Sequence, residues 1–359
     1  MPQAPCPPGP ASGGRCMDGS RLPGILDTRR QQTRAEVRRR RERAVYPPGR
    51  CYGTAAVLVA TALLLSGCAR EPPAPRLRLS QIEPVGRPQE AFRARGGVLR
   101  LAVAPVYSPR RSFPVYRDLA GYLGSATGLI PDLVTGKTYA EINDLVRTGD
   151  VTLAVVCTLA YIEGQHDFGM EALVVPVTGG ATVYYSYLIV PRDSPARRLE
   201  DLRGGTFAFS DPLSNSGRLA PVYRLLEMGE TPESFFRRYI FTYSHDNSIQ
   251  AVTRKVVDGA AVDSQVYDYV AADDPAIGAA TRIVARWGPY GINPVVVHPR
   301  LAPALKQRLR QVFLTMHTDR QGRQLLARLR VDRFIVPDDR LYDSVRTMRR
   351  RVKGQLERP

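Results

Sequence analysis

Histidine is scarce in this chain, and none of it is spaced for metal binding. His166, His245, His298 and His317 stand far apart in the sequence, which leaves no local zinc-ligand pattern. The five cysteines (Cys6, Cys16, Cys51, Cys68 and Cys157) form neither a metal motif nor a paired framework. Cys157 ends an apolar run and reads as a small buried hydrophobe. The G-x-S-x-G pattern of a hydrolase nucleophile elbow is missing, although serine, histidine and aspartate are all present. Long apolar runs are missing too. The stretch Ala55 to Leu65 is too short for a comfortable membrane span. No internal repeat is visible. Acidic residues fall short, 34 against 51 Lys and Arg, for a net charge of +17. That surplus is uneven: residues 1–67 hold eleven arginines against Asp18, Asp27, Glu36 and Glu42, a balance of +7 that leaves +10 for the rest. The remaining arginines are scattered, with some density from Arg300 to Arg351. They read as a solvated basic face rather than a nucleic-acid footprint, with steering of an anionic ligand or contact with anionic lipid as the other uses.

With 359 residues the chain exceeds one compact core, and 43% hydrophobic with 24% charged residues is a globular balance. Two lobes are expected. Residues 1–50 are rich in Pro, Gly and Arg and carry no apolar period. Arg50, the apolar stretch and a small-residue site then make a secretory signal. Its end, Leu65-Ser66-Gly67-Cys68, resembles the lipobox of bacterial lipoproteins, in which the cysteine receives diacylglycerol. Fifty residues ahead of such a signal suggest a true start further downstream, for example at Val45. Residues 1–67 are thus read as extension plus signal, and 68–96, rich in Pro and charge, as a tether to a lipid on Cys68.

From Gly97 onward strand and helix patterns alternate, which indicates a mostly parallel α/β sheet. Strands are expected at Val98 to Val103, Leu129 to Val134 and Val151 to Val156. Helices are expected from Phe113 to Ser125 and, behind the capping pattern Thr138-x-x-Glu141, as far as Arg147. Ligands of such sheets lie beyond the carboxyl ends of strands, so Tyr107, Thr158 and Tyr161 are candidate contacts. Thr182 to Val190 carries the chain to a second lobe. There the strands Thr206 to Phe209, Ile240 to Tyr243 and Gly259 to Val262 end in three polar groups: Ser214-Asn215-Ser216, His245 and Asp263. Helices are expected from Arg218 to Met228, Ser248 to Val257 and Ser264 to Ala271. Strands from Thr281 to Ala285 and Ile292 to Val297 return to the first lobe. Helices from Ala302 to Met316, Gln321 to Leu329 and Leu341 to Val352 finish the chain.

The stretch Phe207 to Gly217 (FAFSDPLSNSG) has the form strand, polar turn, helix start. One of its serines can be an ordinary N-cap. The unpaired N–H groups and the dipole at such a place also favour an oxyanion. Asp263 alone can likewise be the cap of the helix that follows it. Taken together, the serine loop, a histidine donor and an aspartate acceptor fit recognition of a small oxyanion.

From Val98 to Val336 the sequence resembles the periplasmic phosphate/phosphonate-binding proteins of ABC importers. The residues that carry this are Thr182-Val183-Tyr184-Tyr185-Ser186, Asp193-Ser194, Leu199 to Gly204, Phe207 to Gly217, Ser244-His245-Asp246 and Gly259 to Asp263. The resemblance implies a bilobed type II periplasmic-binding fold, two α/β lobes joined by two crossover strands. Lobe 1 would be residues 97–185 and 282–359, and lobe 2 residues 186–281. It implies a phosphonate, phosphite or phosphate held by Ser214, Asn215, Ser216, His245 and Asp263, with looser matches at Tyr107, Thr158 and Tyr161. Asn215 stands where the S-T-S-G form of the loop has a hydroxyl; its amide still donates. The expectation is an extracytoplasmic, lipid-anchored, monomeric binding protein that serves an ABC permease. It would have no cofactor, no metal, no catalysis and no nucleic-acid partner. A sensing or scaffold lipoprotein of the same fold and an extracytoplasmic hydrolase are the alternatives.

Overall fold

The computed structural model describes residues 94–356. The signal, Cys68 and most of the tether lie outside that range. Eleven strands are described: β1 (Val98–Val103), β2 (Ile130–Thr135), β3 (Leu153–Val155), β4 (Glu171–Val177), β5 (Val183–Pro191), β6 (Thr206–Phe209), β7 (Arg238–Phe241), β8 (Gly259–Asp263), β9 (Thr281–Gly291), β10 (Val295–Val297) and β11 (Arg333–Ile335). They form two sheets, ordered β11-β4-β10-β3-β1-β2 and β7-β6-β8-β5-β9. β1 runs parallel to β2 and β3, and β6 parallel to β7 and β8. Each sheet therefore has a parallel core whose strands share one carboxyl edge. The return strands pair antiparallel: β10 with β3 and β4, β5 with β8 and β9.

The chain passes between sheets twice, after β4 and after β9. The expected lobe boundaries at 185 and 282 cut through β5 and β9, which belong to the second sheet along their whole lengths. Thr281 to Ala285 is accordingly part of an eleven-residue strand of the second lobe, and only β10 returns to the first.

Packing follows the strand alternation. Leu99, Leu101 and Val103 of β1 join one core with Leu123, Phe313 and Phe334. Ala102 and Ala104 join the other, which runs on through Tyr184, Phe207, Phe209 and Val262. The C-terminal helix Asp343–Leu356 touches both lobes. Arg349 pairs with Glu163 through two short bonds of 2.6 and 2.7 Å, and Arg351 donates to the Tyr223 hydroxyl at 2.6 Å.

Several elements depart from the sequence expectation for local reasons. The helix expected from Phe113 runs from Pro109 to Thr127; proline is well placed in a first helical turn, where its missing N–H costs nothing. The helix expected from Ser248 starts at His245, because Ser244 Oγ caps it by accepting from Asn247 N at 3.4 Å. At the Thr138 pattern, the threonine accepts from Glu141 N at 3.2 Å, while the Glu141 carboxylate turns to Lys137 N. β4 and β11 were not expected. Pro176 interrupts the pattern of β4, yet it lies past the residues that β10 pairs with and faces Phe334 of β11. Among the described residues no helix is long and apolar enough to cross a membrane.

Candidate functional site

The carboxyl ends of β6, β7 and β8 each lead straight into a capped helix start. After β6 the loop Ser210 to Leu213 bends at Asp211, whose Oδ1 accepts from Leu213 N at 2.8 Å. Ser214 then caps the helix: its Oγ accepts from Gly217 N at 3.0 Å. The opening turn, Asn215–Leu219, is wider than an α-helix, with Leu219 N bonded five residues back to Ser214 O, before α-geometry begins at Ala220. Widened turns of this kind cluster at functional places. Gly217 is required by contact: a Cβ there would lie 1.8 Å from Ser210 Oγ and 2.9 Å from His245 Cε1.

Ser214, Asn215 and Ser216 are wholly buried, as are His245 and Asp263 to within 2%. Side-chain atoms that are buried in this way normally have hydrogen-bond partners. Here Ser210 Oγ, Asn215 Oδ1 and Ser216 Oγ have none, and neither does the hydroxyl of Tyr139, which enters from the first lobe. Tyr139 N donates to Asp211 Oδ2 at 3.1 Å, which fixes the tyrosine against the serine loop. Asn215 Nδ2 donates to the Tyr184 hydroxyl at 2.9 Å, and Ser186 Oγ donates to Ser216 O at 2.7 Å.

His245 has a defined tautomer. Asp263 N–H can only donate, and it points at Nδ1 from 3.1 Å. Nδ1 is therefore the lone-pair nitrogen and the proton sits on Nε2, 3.4 Å from Ser214 Oγ. Burial holds the ring neutral, with its pKa lowered to about 3. The same wiring distinguishes the pair from a hydrolytic dyad. A catalytic histidine must accept the serine proton at Nε2 while a carboxylate holds Nδ1–H; here both nitrogens play the opposite part.

Asp263 is the N-cap of the helix Ser264–Asp273, Oδ1 accepting from Gln265 N at 2.8 Å. Burial raises its carboxyl to about 7, against the pull of backbone N–H bonds and of Asn293. A carboxyl with that pKa can donate a proton to an oxyanion or accept from a P–OH.

The first-lobe candidates separate. Tyr107 lies beside Asp263, whose charge helps burial push the phenol pKa well up, and its ring meets Tyr269 edge-on at 5.5 Å. Thr158 is buried but its hydroxyl donates to Gly291 O at 2.7 Å, and its backbone N donates to Asn293 Oδ1 at 3.1 Å, so it anchors the crossover. Tyr161 is not part of the set: its hydroxyl joins Gln165 Nε2 at 3.0 Å and Asp339 Oδ1 at 3.4 Å, and its ring packs on Tyr342. It lines a different pocket, with Gln165, Asp339 and Tyr342. Tyr139, Ser210, Asp211 and Asn293 were missed. Tyr139 follows β2 at a carboxyl end, so the strand-end rule reaches it; Asn293 sits in a crossover with no local pattern. Among the described residues no cluster of His, Cys, Asp and Glu could hold a metal.

A cavity of about 290 Å³ adjoins the set, with Asp263, Asn293 and Tyr107 in its wall.

The family model for the periplasmic substrate-binding protein of ABC phosphonate transporters matches residues 101–342. A phosphonates-binding periplasmic protein of Escherichia coli K12 is 26% identical over 196 residues, which cover 53% of this chain and 58% of that protein. The chain thus aligns over little more than half of that curated relative. Among solved structures, a binding protein component of an ABC phosphonate transporter from Pseudomonas aeruginosa superposes with a TM-score of 0.68 at 23% identity, covering 71% of this chain and 86% of that one. A protein from Prochlorococcus marinus in complex with methylphosphonate gives 0.65 at 19% identity, covering 72% and 98%. These likenesses carry the fold, the bilobed type II periplasmic-binding arrangement. The chain belongs to the family of periplasmic substrate-binding proteins of ABC phosphonate transporters.

Proposed function

We propose that this protein captures a small phosphorus oxyanion between its lobes and delivers it to an ABC permease. The observation that carries the reading is the group of buried, unpartnered oxygens at Ser210, Ser216 and Tyr139 on the elements that meet at the serine loop, beside His245. They provide hydroxyl and imidazole donors, with no metal-ligand cluster among the described residues and with His245 not wired as a base. The site comprises Ser214, Asn215, Ser216, His245 and Asp263 of lobe 2, with Tyr139 and Tyr107 of lobe 1; Thr158 supports it from behind. Within the described residues, lobe 1 spans about 97–182 and 292–356, and lobe 2 about 183–291. The protein acts as a binding protein, not an enzyme, and as a monomer. It is held outside the cytoplasm by lipid on Cys68, and Cys68→Ala would release it from the membrane fraction.

A thermal-shift panel of phosphate, phosphite, methylphosphonate, 2-aminoethylphosphonate and sulfate tests the reading. A ligand at 100 times its Kd stabilises the native state by about 2.7 kcal/mol. At least one phosphorus oxyanion shifts the melting temperature by several degrees, and His245→Asn abolishes the shift. No shift with any of them would remove the proposal.

A further inference from the structure

The cavity beside the oxyanion set is too large and too apolar for a bare oxyanion. Its volume is about 290 Å³, whereas a dry apolar cavity of about 150 Å³ already accepts benzene. Its far wall is built by Tyr116, Leu119, Val331 and Phe334 of the first lobe. Its near end holds Asp263 and Asn293, and Asp263 N is bonded to His245. Tyr269 of the second lobe closes one side, edge-on to Tyr107 and with the Arg330 guanidinium 4.4 Å above its ring. A phosphoryl group on the serine loop would therefore direct its substituent past Asp263 into an apolar compartment between the lobes.

We propose that the ligand is a phosphorus oxyanion bearing an uncharged apolar substituent at least as large as a benzene ring, with that substituent seated between Leu119, Val331, Phe334 and Tyr269. The inference rests on the reading that the serine loop binds a phosphorus oxyanion. Burying the substituent removes apolar surface from water, which a methyl group does far less. The charged groups in the wall, Asp263, Asp268 and Arg330, are of both signs; a charged substituent is disfavoured by the apolar surface it would meet, where burying an unpaired charge is costly.

Calorimetric titration with phosphate, methylphosphonate, phenylphosphonate, phenyl phosphate and 2-carboxyethylphosphonate tests this. Phenylphosphonate is expected to bind at least about tenfold tighter than methylphosphonate, and 2-carboxyethylphosphonate weaker than either. Phenyl phosphate matching phenylphosphonate would extend the class to monoesters; its failure would confine it to phosphonates, and both support the compartment. Val331→Phe, at a half-buried wall position, fills the space: the phenyl advantage is lost while methylphosphonate affinity stays within about twofold. Equal or weaker binding of phenylphosphonate in the unaltered protein would overturn the compartment and leave the oxyanion reading standing. Absence of binding by every phosphorus compound would overturn both. Should Val331→Phe fold poorly, the unaltered protein's own series decides.

Discussion

The two walls of the cleft start their helices differently. In lobe 2 the starts at Ser214, Ser244 and Asp263 are each capped by their own side chain. In lobe 1 the helices at Pro109 and Thr158 have no such side-chain cap. Their donors are met from elsewhere: Ser108 N by Asp246 Oδ1 of lobe 2 at 2.8 Å, and Thr158 N by Asn293 of the crossover at 3.1 Å. The helix Tyr139–Thr148 has a cap of its own in Thr138, yet its first N–H also finds Asp211 of lobe 2. Lobe 2 is thus a finished wall, while lobe 1 is completed by carboxylates that reach across the cleft to helix N-termini, where negative charge is favoured. His245 N, bonded to Val106 O at 3.0 Å, adds a further tie. Lobe 2 caps its helix starts internally, and lobe 1 draws its partners from across the cleft.

The largest expected effect is at Gly217. Gly217→Ala drives a methyl into Ser210 and His245; overpacking costs about 1–3 kcal/mol of stability, and oxyanion affinity drops by about 100-fold or more in calorimetry. Preserved affinity would show that the lobe 2 wall is not preformed. Next comes the pair Asp211→Ala with Asp246→Ala. Each removes a cross-cleft cap worth about 1 kcal/mol, so affinity falls about 10- to 30-fold, and X-ray scattering of the ligand-free protein shows a larger radius of gyration. An unchanged radius would mean that these carboxylates do not hold the lobes together.

Two buried titratable groups give opposite pH slopes. His245 moves from 6.5 down to about 3 on folding, so the unfolded chain binds the extra proton and stability rises with pH across that window. Asp263 moves from 3.8 up to about 7, so the native state binds the extra proton and stability falls as pH rises from about 4 to 7. The contributions oppose one another between about pH 4 and 6.5. Melts of His245→Asn should expose the falling slope, and melts of Asp263→Asn the rising one; parallel curves would contradict the burial of both groups. The smallest effect is at Tyr161→Phe, whose hydroxyl serves Gln165 and Asp339. Oxyanion affinity should stay within about twofold, and stability should fall by roughly 0.5–1.5 kcal/mol for each hydrogen bond lost.

The same contrast explains what the sequence makes legible. The lobe 2 motifs are short-range: strand, cap and helix lie within ten residues, so Thr206–Phe209, the Ser214 loop and the Asp263 cap can be read directly. Both bland readings there, Ser214 and Asp263 as N-caps, hold alongside their place in the cleft. Lobe 1 contributes through tertiary placement. Tyr139 depends on Asp211, 72 residues away, and Asn293 acts on Thr158 from 135 residues away. No local pattern encodes those pairings, although the strand-end rule reaches the position of Tyr139. β4 was missed because its ladder partners, β10 and β11, come more than 100 residues later.

The central claim is that the lobe 2 wall donates to an oxyanion through a neutral His245 with its proton on Nε2. ¹⁵N NMR of the imidazole, with and without methylphosphonate at pH 6, tests it most directly. A neutral Nε2–H ring is expected in both states, with the Nε2 proton moved downfield when the ligand binds. An imidazolium, an Nδ1–H tautomer or a ring indifferent to the ligand would contradict it.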